Sequence, residues 1–477
     1  MGKAMDLNRR QLLRSLSSTG LLVTVPASLS CSSREYMGDR WWLDGGHAPV
    51  FEEVNRRNLM VEGSIPKEIN GLYVRNGGNP RADAHHYFIG DGMLHGVWFE
   101  NGRALCYRNR WVETSLVKEQ KNLSLNKADN MSNTSIIYYG GRLLSLMEIG
   151  FPYEINPDLS TKGVYRFDNT LRSAVTAHPK VHPTTGNLHF FGMDFFSNPF
   201  LKYRVANPEG KIIRRVDIDL PESSMQHDFQ CTERYAIFLD MPIVFSTLRA
   251  MTGQFPYEWR GDRYETRVGV LPHAGEAKDI RWFSIQTCFI FHTLNAYENE
   301  RGEIVLQVSR MPKMWERDPY DINEPSHLYE YRIHPQKGLL SEGQMGEERV
   351  DFGMLDARFA GRKHNRSFFS LISSTGELST SVPRFAGLMS YDKDGRERGK
   401  YNFQPYEQGG EFRFVPRTAT SPEGEGYLMG YVYNALTDES SLDIFDAENI
   451  QDGALARVHL QSRVPLGFHG TFVPQEA

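Results

Sequence analysis

The sequence predicts an all-β chain folded by radial repetition, and three observations carry that expectation. Short runs rich in β-branched and aromatic residues succeed one another, turn pairs containing Gly separate them, and no helical period persists for more than three or four turns beyond the N-terminal segment. The 477 residues hold more strands than one sandwich needs, with no Pro/Gly-rich linker to divide them, so a propeller-like array that leaves few exposed edges is the expected architecture. No crisp repeat marks the blades, and their number is not countable from the pattern.

Taken in order, the chain opens with Asn8-Arg9-Arg10-Gln11-Leu12-Leu13-Arg14, an apolar run from Leu16 to Val25 and small residues at Ala27-Ser28. That is the layout of a cleavable twin-arginine signal, and residues 1–33 read as a targeting segment ahead of one domain, 34–477. The apolar run is too short and too rich in Ser and Thr to span a bilayer. Export to the periplasm or a membrane-associated state follows; an ordinary tail with a chance Arg pair leaves the chain cytoplasmic. Cys31 in Ser28-Leu29-Ser30-Cys31 is a lipidation candidate whose Leu lies one position from the usual place.

Strands are expected at Gly71–Arg75, Arg142–Met147, Leu188–Gly192, Tyr235–Asp240, Trp282–His292, Ile304–Ser309, Phe368–Ser373, Tyr427–Tyr433 and Ser441–Phe445. The turn pairs are Asn101-Gly102, Gly140-Gly141, Thr185-Gly186, Arg301-Gly302, Thr375-Gly376, Asp394-Gly395 and Asp452-Gly453. A hydrophobic content of 40%, with 12% aromatic residues, supports a large core. The net charge of −5, without a basic block carrying interleaved aromatics, disfavours nucleic-acid binding. Four Cys at 31, 106, 231 and 288 have neither C-x-x-C spacing nor disulfide-scaffold density, so Cys106, Cys231 and Cys288 are expected as buried thiols.

Four of the 15 histidines stand apart by their surroundings: Ala177-His178-Pro179, Gln226-His227-Asp228-Phe229, Phe291-His292-Thr293 and Gly467-Phe468-His469-Gly470. Imidazole is the commonest metal ligand, and a metal held by imidazoles alone needs three or four brought to one point. The intervals are 49, 65 and 177 residues. With blades of ~40–50 residues, these are about one, one and three blades, so inner strands converging on one axis would bring the four together. The remaining histidines read as structural: His85 and His86 in a polar loop, and His273, His334, His364 and His459 beside charges or turns.

Gly71-Leu72-Tyr73-Val74-Arg75-Asn76-Gly77, Phe88-Ile89-Gly90-Asp91-Gly92-Met93-Leu94-His95, Asn133-Thr134-Ser135, Leu146-Met147-Glu148, the four histidine motifs and Phe414-Val415-Pro416-Arg417 follow one another in fixed order. From about residue 48 to 474 this order resembles the carotenoid cleavage oxygenases. The resemblance implies a seven-bladed β-propeller with helices and loops capping one face. It also implies one Fe(II) per chain on His178, His227, His292 and His469, with O2 as co-substrate and no further catalytic side chain. Imidazole suits Zn, Cu and Ni as well; the resemblance selects iron.

By position, the resemblance gives the outer-nitrogen partners of the ligands as Glu148, Asp351 and Glu411, leaving His178 without a carboxylate. Asp351 stands where the family usually has Glu. One methylene shorter, it must bring its backbone ~1 Å closer or reach its His through water. Thr134 matches a position near an open metal site; as a β-branched residue it is equally an ordinary strand Thr. In the stilbene-cleaving branch a Tyr and a Lys grip the phenol, and here those positions hold Trp111 and Met147. An apolar pair there suits a carotenoid or apocarotenoid polyene, with a stilbenoid or other phenylpropanoid as the alternative. A non-catalytic metal-bearing propeller is a further alternative; a calcium lactonase is disfavoured because it would need oxygen ligands. The apolar stretch 241–259 (Met241, Ile243, Val244, Phe245, Leu248, Met251, Phe255) reads either as a membrane-touching tunnel mouth or as packing between blades.

Overall fold

The turn pairs fold as their residue types demand. Asn101-Gly102 takes φ of 50° and 75°, and Gly140-Gly141 takes 56° and 73°. Both are left-handed pairs of the kind that closes a two-residue hairpin with the twist its strands need. The first joins Asp91–Glu100 to Arg103–Trp111 and the second joins Ser135–Tyr139 to Arg142–Leu146. The computed structural model describes residues 40–475 apart from 82, 83, 85, 121–125, 253, 321 and 374–383. Residues 1–33, read above as a targeting segment, with Cys31 among them, His85 and Thr375-Gly376 therefore lie outside the described residues.

Antiparallel strands form seven blades. Blade 1 orders Gly470–Pro474, Gly71–Asn79, Asp91–Glu100, Arg103–Trp111 and Asn55–Arg57 from first to last, and blade 2 runs from Ser135–Tyr139 to Thr161–Val164. Blade 3 runs from Lys180–Val181 to Ile212–Ile218, blade 4 from Gln230–Cys231 to Arg281–Ser284, and blade 5 begins at Phe289–Glu298. The strand Gly338–Met354 closes blade 5 with its first part and opens blade 6 with Val350, Asp351 and Met354. Blade 7 opens at Phe412–Pro416 and ends with Val61–Gly63 beside Ala454–His459. The two chain ends thus lock the ring, since the C-terminal strand enters blade 1 and an N-terminal strand enters blade 7. This closure removes the edges that an open array would expose.

Alternation along the strands builds the core. Phe190 and Phe191 are sequence neighbours on opposite faces, so Phe190 packs toward blade 2 and Phe191 toward blade 4. Ile237 and Phe238 divide in the same way between blades 5 and 3. Among the described residues each of the seven blade junctions has its own apolar cluster. Each large side chain buried there contributes ~1.5–3 kcal/mol.

Several local expectations change. The run Trp282–His292 is two strands, Arg281–Ser284 and Phe289–Glu298, broken at 285–288 where the chain passes from blade 4 to blade 5. Cys106 is half-buried on an outer strand, while Cys231 and Cys288 are buried. His86 is 5% exposed and lies among Trp42, Phe88, Phe255, Trp315 and Tyr320, in an aromatic cluster rather than a polar loop. The 241–259 stretch divides: Met241, Ile243 and Val244 are buried, whereas Leu248 is 73% and Met251 47% exposed on a short helix, Thr247–Met251.

Candidate metal centre

In a propeller the first strand of every blade faces the axis, and the chain delivers one notable residue at or just before each of these strands. Around the ring they are Thr134, His178, His227, His292, Asp351, Glu411 and His469. Four of them meet: His178, His227, His292 and His469 each offer a ligand nitrogen, all within 4.8 Å of one another. Nε2 of His227 lies 3.1 Å from Nε2 of His178 and 3.4 Å from that of His292. Among the described residues this is the one group of three or more such side chains so arranged. A second histidine cluster, His182, His189 and His273, has ring centroids 4.7–5.4 Å apart. There His182 Nε2 meets Glu233 O and its Nδ1 accepts two backbone N–H groups, leaving that ring no free nitrogen.

The outward nitrogens explain the aim. His292 Nδ1 donates to Asp351 Oδ1 at 2.9 Å, His469 Nδ1 donates to Glu411 Oε1 at 3.0 Å, and His227 Nδ1 stands against Glu148 Oε1. A carboxylate on Nδ1 fixes the tautomer that leaves the Nε2 lone pair facing inward and makes it a stronger donor. Among the described residues no carboxylate bonds His178. The shorter Asp351 reaches its His directly; the pairing of its strand is irregular between Asp351 and Met354, and Phe352 sits at φ 51°. The Phe352 ring so placed lies 5.1 Å from that of His292 and 5.4 Å from that of His469. Phe291 stands edge-on to His227 at 5.1 Å.

Electrostatics fit a cation. Burial and the neighbouring imidazoles hold His178 well below its ordinary pKa, and burial holds His469 below its own, so both present neutral nitrogens. For His292 burial acts downward and is the largest single influence, but the charge and hydrogen bond of Asp351 together with the charges of Asp228 and Glu411 outweigh it, and the net shift is upward. Burial pushes the Glu411 carboxyl up, yet His469 and Arg413 bring it down to about 2. Around the four rings, and among the described residues, the Lys and Arg side chains that pair with Glu148, Asp351, Glu411 and the buried Asp228 are Lys180 and Arg413, which approach Asp228 and Glu411 at 2.7 and 3.6 Å. Four carboxylates against two cations leave two negative charges, which a divalent ion cancels. The donor set and its charge therefore fit a divalent metal.

The remaining expected residues divide. Thr134 donates its hydroxyl to Asn133 Oδ1 at 2.9 Å, and its carbonyl accepts the His469 N–H at 3.1 Å, so it borders the site through backbone. Met147, next to Glu148, packs with Leu116, Met131 and Ile149. Trp111 is half-buried with its backbone N–H on Glu53, and no ring contact or hydrogen bond joins it to the four histidines. Phe88, Phe291 and Phe255, from separate segments, join Trp315 in an aromatic wall. Phe291 meets Phe88 and Trp315, Trp315 meets Phe255, Phe255 stacks on His86 at 4.5 Å, and His86 meets the partly exposed Tyr320. Only the clustering of aromatics in the sequence hinted at this path.

A family profile described as retinal pigment epithelial membrane protein (RPE65) matches residues 47–474. The chain belongs to the carotenoid oxygenase family. It is 31% identical to a carotenoid cleavage oxygenase of Mycobacterium tuberculosis, covering 91% of this chain and 97% of that one. It is 32% identical to carotenoid 9,10(9',10')-cleavage dioxygenase 1 of Arabidopsis thaliana, over 91% and 90%. Among solved structures, the lignostilbene dioxygenase of Pseudomonas brassicacearum superposes with a TM-score of 0.82 at 25% identity, covering 91% and 98% of the two chains. A cobalt-substituted Synechocystis ACO superposes with 0.81 at 25% identity, over 91% and 98%.

Proposed function

We propose that this chain is a non-haem Fe(II) dioxygenase that cleaves one conjugated C=C bond of a carotenoid or apocarotenoid into two carbonyl products, each taking one oxygen atom from O2. The observation that carries the reading is the convergence of four Nε2 atoms backed by three carboxylates. Bound there, iron supplies the O2 chemistry that no side chain provides. The protein holds the imidazoles, balances the charge, and offers an apolar wall of Phe291, Phe88, Trp315 and Phe255, with Phe352 beside His292 and His469, against which an extended polyene can lie away from water. Met147, in an apolar cluster, offers no cation to a phenolate, which favours a polyene over a stilbenoid.

The test is anaerobic Fe(II) loading followed by 18O2 with β-apocarotenals, intact carotenoids and resveratrol, read by mass spectrometry. Labelled aldehydes from the polyenes, lost in His292→Ala, are expected. Cleavage of resveratrol alone would reassign the substrate, and no product with any substrate would reject the activity.

Access from a lipid surface belongs to the same proposal. Leu248 and Met251 are exposed on the helix Thr247–Met251, which also carries Arg249 and follows Phe245, whose ring meets Phe196, itself 46% exposed. The double change Leu248→Ser with Met251→Ser is expected to weaken binding to anionic liposomes several-fold while metal content stays constant; unaltered binding would remove the membrane contact. Residues 1–33 are proposed as the export signal, to be tested by whether changing Arg9 and Arg10 to Lys retains a reporter fusion in the cytoplasm.

A further inference from the structure

Behind three of the four histidines lies a single buried carboxylate that touches none of their rings. Asp228 follows His227 and is 2% exposed. Its Oδ1 accepts the Phe229 N–H at 2.8 Å and pairs with Lys180 Nζ at 2.7 Å. Its Oδ2 accepts both the backbone N–H and the hydroxyl of Thr293, at 2.8 and 2.7 Å. Lys180 is two residues beyond His178, and Thr293 is the residue after His292. One side chain therefore ties together the first strands of blades 3, 4 and 5, each beside its own histidine. Gln230 Nε2 donates to the Thr293 hydroxyl at 2.9 Å, and Thr176 Oγ1 donates to His227 O at 3.1 Å and accepts the His178 N–H at 3.1 Å, so the same three strands are also laced through neighbouring groups.

We propose that Asp228, with Lys180 and Thr293, is a positioning clasp that sets the mutual spacing of His178, His227 and His292 and so governs how tightly the centre keeps its metal. The physical reason is geometric. First strands of neighbouring blades are joined mainly by side-chain packing, which tolerates small slides, whereas a buried carboxylate with all its bonds made in fixed directions does not. His178 has no carboxylate on its own ring, so Lys180 is its route to the same anchor. The negative charge of Asp228 also lies behind the imidazoles, where it favours a cation among them. The clasp rests on the metal reading above.

The test measures release of Fe(II) to a chelator from the anaerobically loaded full chain, and the electronic spectrum of the Co(II)-loaded chain. Asp228→Asn is expected to release metal about 10- to 100-fold faster and to shift the cobalt bands. Thr293→Val, nearly isosteric, is expected to speed release by about 10-fold, with Thr293→Ser restoring the parental rate. The control is Asp443→Asn, which removes an equally buried carboxylate held by Arg457 in blade 7, far along the ring from Asp228. It is expected to lower thermal stability while release and spectrum stay parental. Thr293→Val and Asp228→Asn releasing metal at the parental rate, or Asp443→Asn accelerating release equally, would overturn the clasp while the metal reading stands. A parent chain that holds no metal would remove both.

Discussion

His178, His227, His292 and His469 become a donor set through what their outer nitrogens meet. Asp351 is the informative case, because it reaches His292 at 2.9 Å, as short as the 3.0 Å between Glu411 and His469. The irregular strand pairing and the left-handed Phe352 accompany that reach, and a bulky residue in this region of backbone costs ~1–3 kcal/mol. Asp351→Asn keeps the size of the side chain and removes its charge. It is expected to weaken Fe(II) affinity about 10- to 100-fold in a chelator competition, and an unchanged affinity would show the carboxylate to be dispensable. The four histidines were legible because each sits in a recognisable short motif, whereas their carboxylates were placed through the family resemblance. Lys180, Asp228 and Thr293 lie inside the same motifs, yet nothing in one sequence says that residues 113 positions apart share one carboxylate. The substrate residues were least legible: Trp111 and Met147 were placed by position alone, while the aromatic wall comes from segments with no common motif.

At the scale of elements, a strand places its histidine only if the segment before it lies flat on its neighbours. Gly192 shows how this is achieved, since a Cβ there would meet Ala174 O at 2.2 Å, within the segment that leads into His178. Gly192→Ala is expected to destabilise the fold by about 2 kcal/mol or more and to lower iron occupancy by displacing His178. Gly186→Ala, in a turn with φ 68° and open space around it, is expected to cost ~1–2 kcal/mol from backbone strain alone and to leave occupancy parental. Thermal midpoints and metal analysis of the two variants check the contrast. Strand positions followed from composition and turn pairs, and Tyr235–Asp240 appears with the expected ends. The division of 282–292 did not follow, because a continuous β-rich run gives no sign that the chain changes blade within it.

For the whole molecule, the ring and the site depend on the same C-terminal strand. Gly470–Pro474 supplies the first strand of blade 1, and His469 immediately precedes it. Ending the chain after Leu466 is expected to abolish the folded state, seen as loss of the cooperative thermal transition and rapid proteolysis, whereas His469→Ala should lose metal and keep the transition. A truncated chain that stays folded would contradict closure by this strand. The radial plan was legible in strand number, and the three-blade interval from His292 to His469 is filled by Asp351 and Glu411 at the starts of the intervening blades. Blade number and the closure came from the family resemblance and the coordinates, since blades of unequal length leave no period to count.

The most direct test is metal analysis of the chain after anaerobic Fe(II) loading, beside His292→Ala, with 18O2 and a β-apocarotenal added to each. One iron per parent chain, little in the variant, and two aldehydes from the parent alone, labelled from O2, are expected. A parent without stoichiometric metal, or a variant that keeps its iron and cleaves the polyene equally well, would contradict the proposed function.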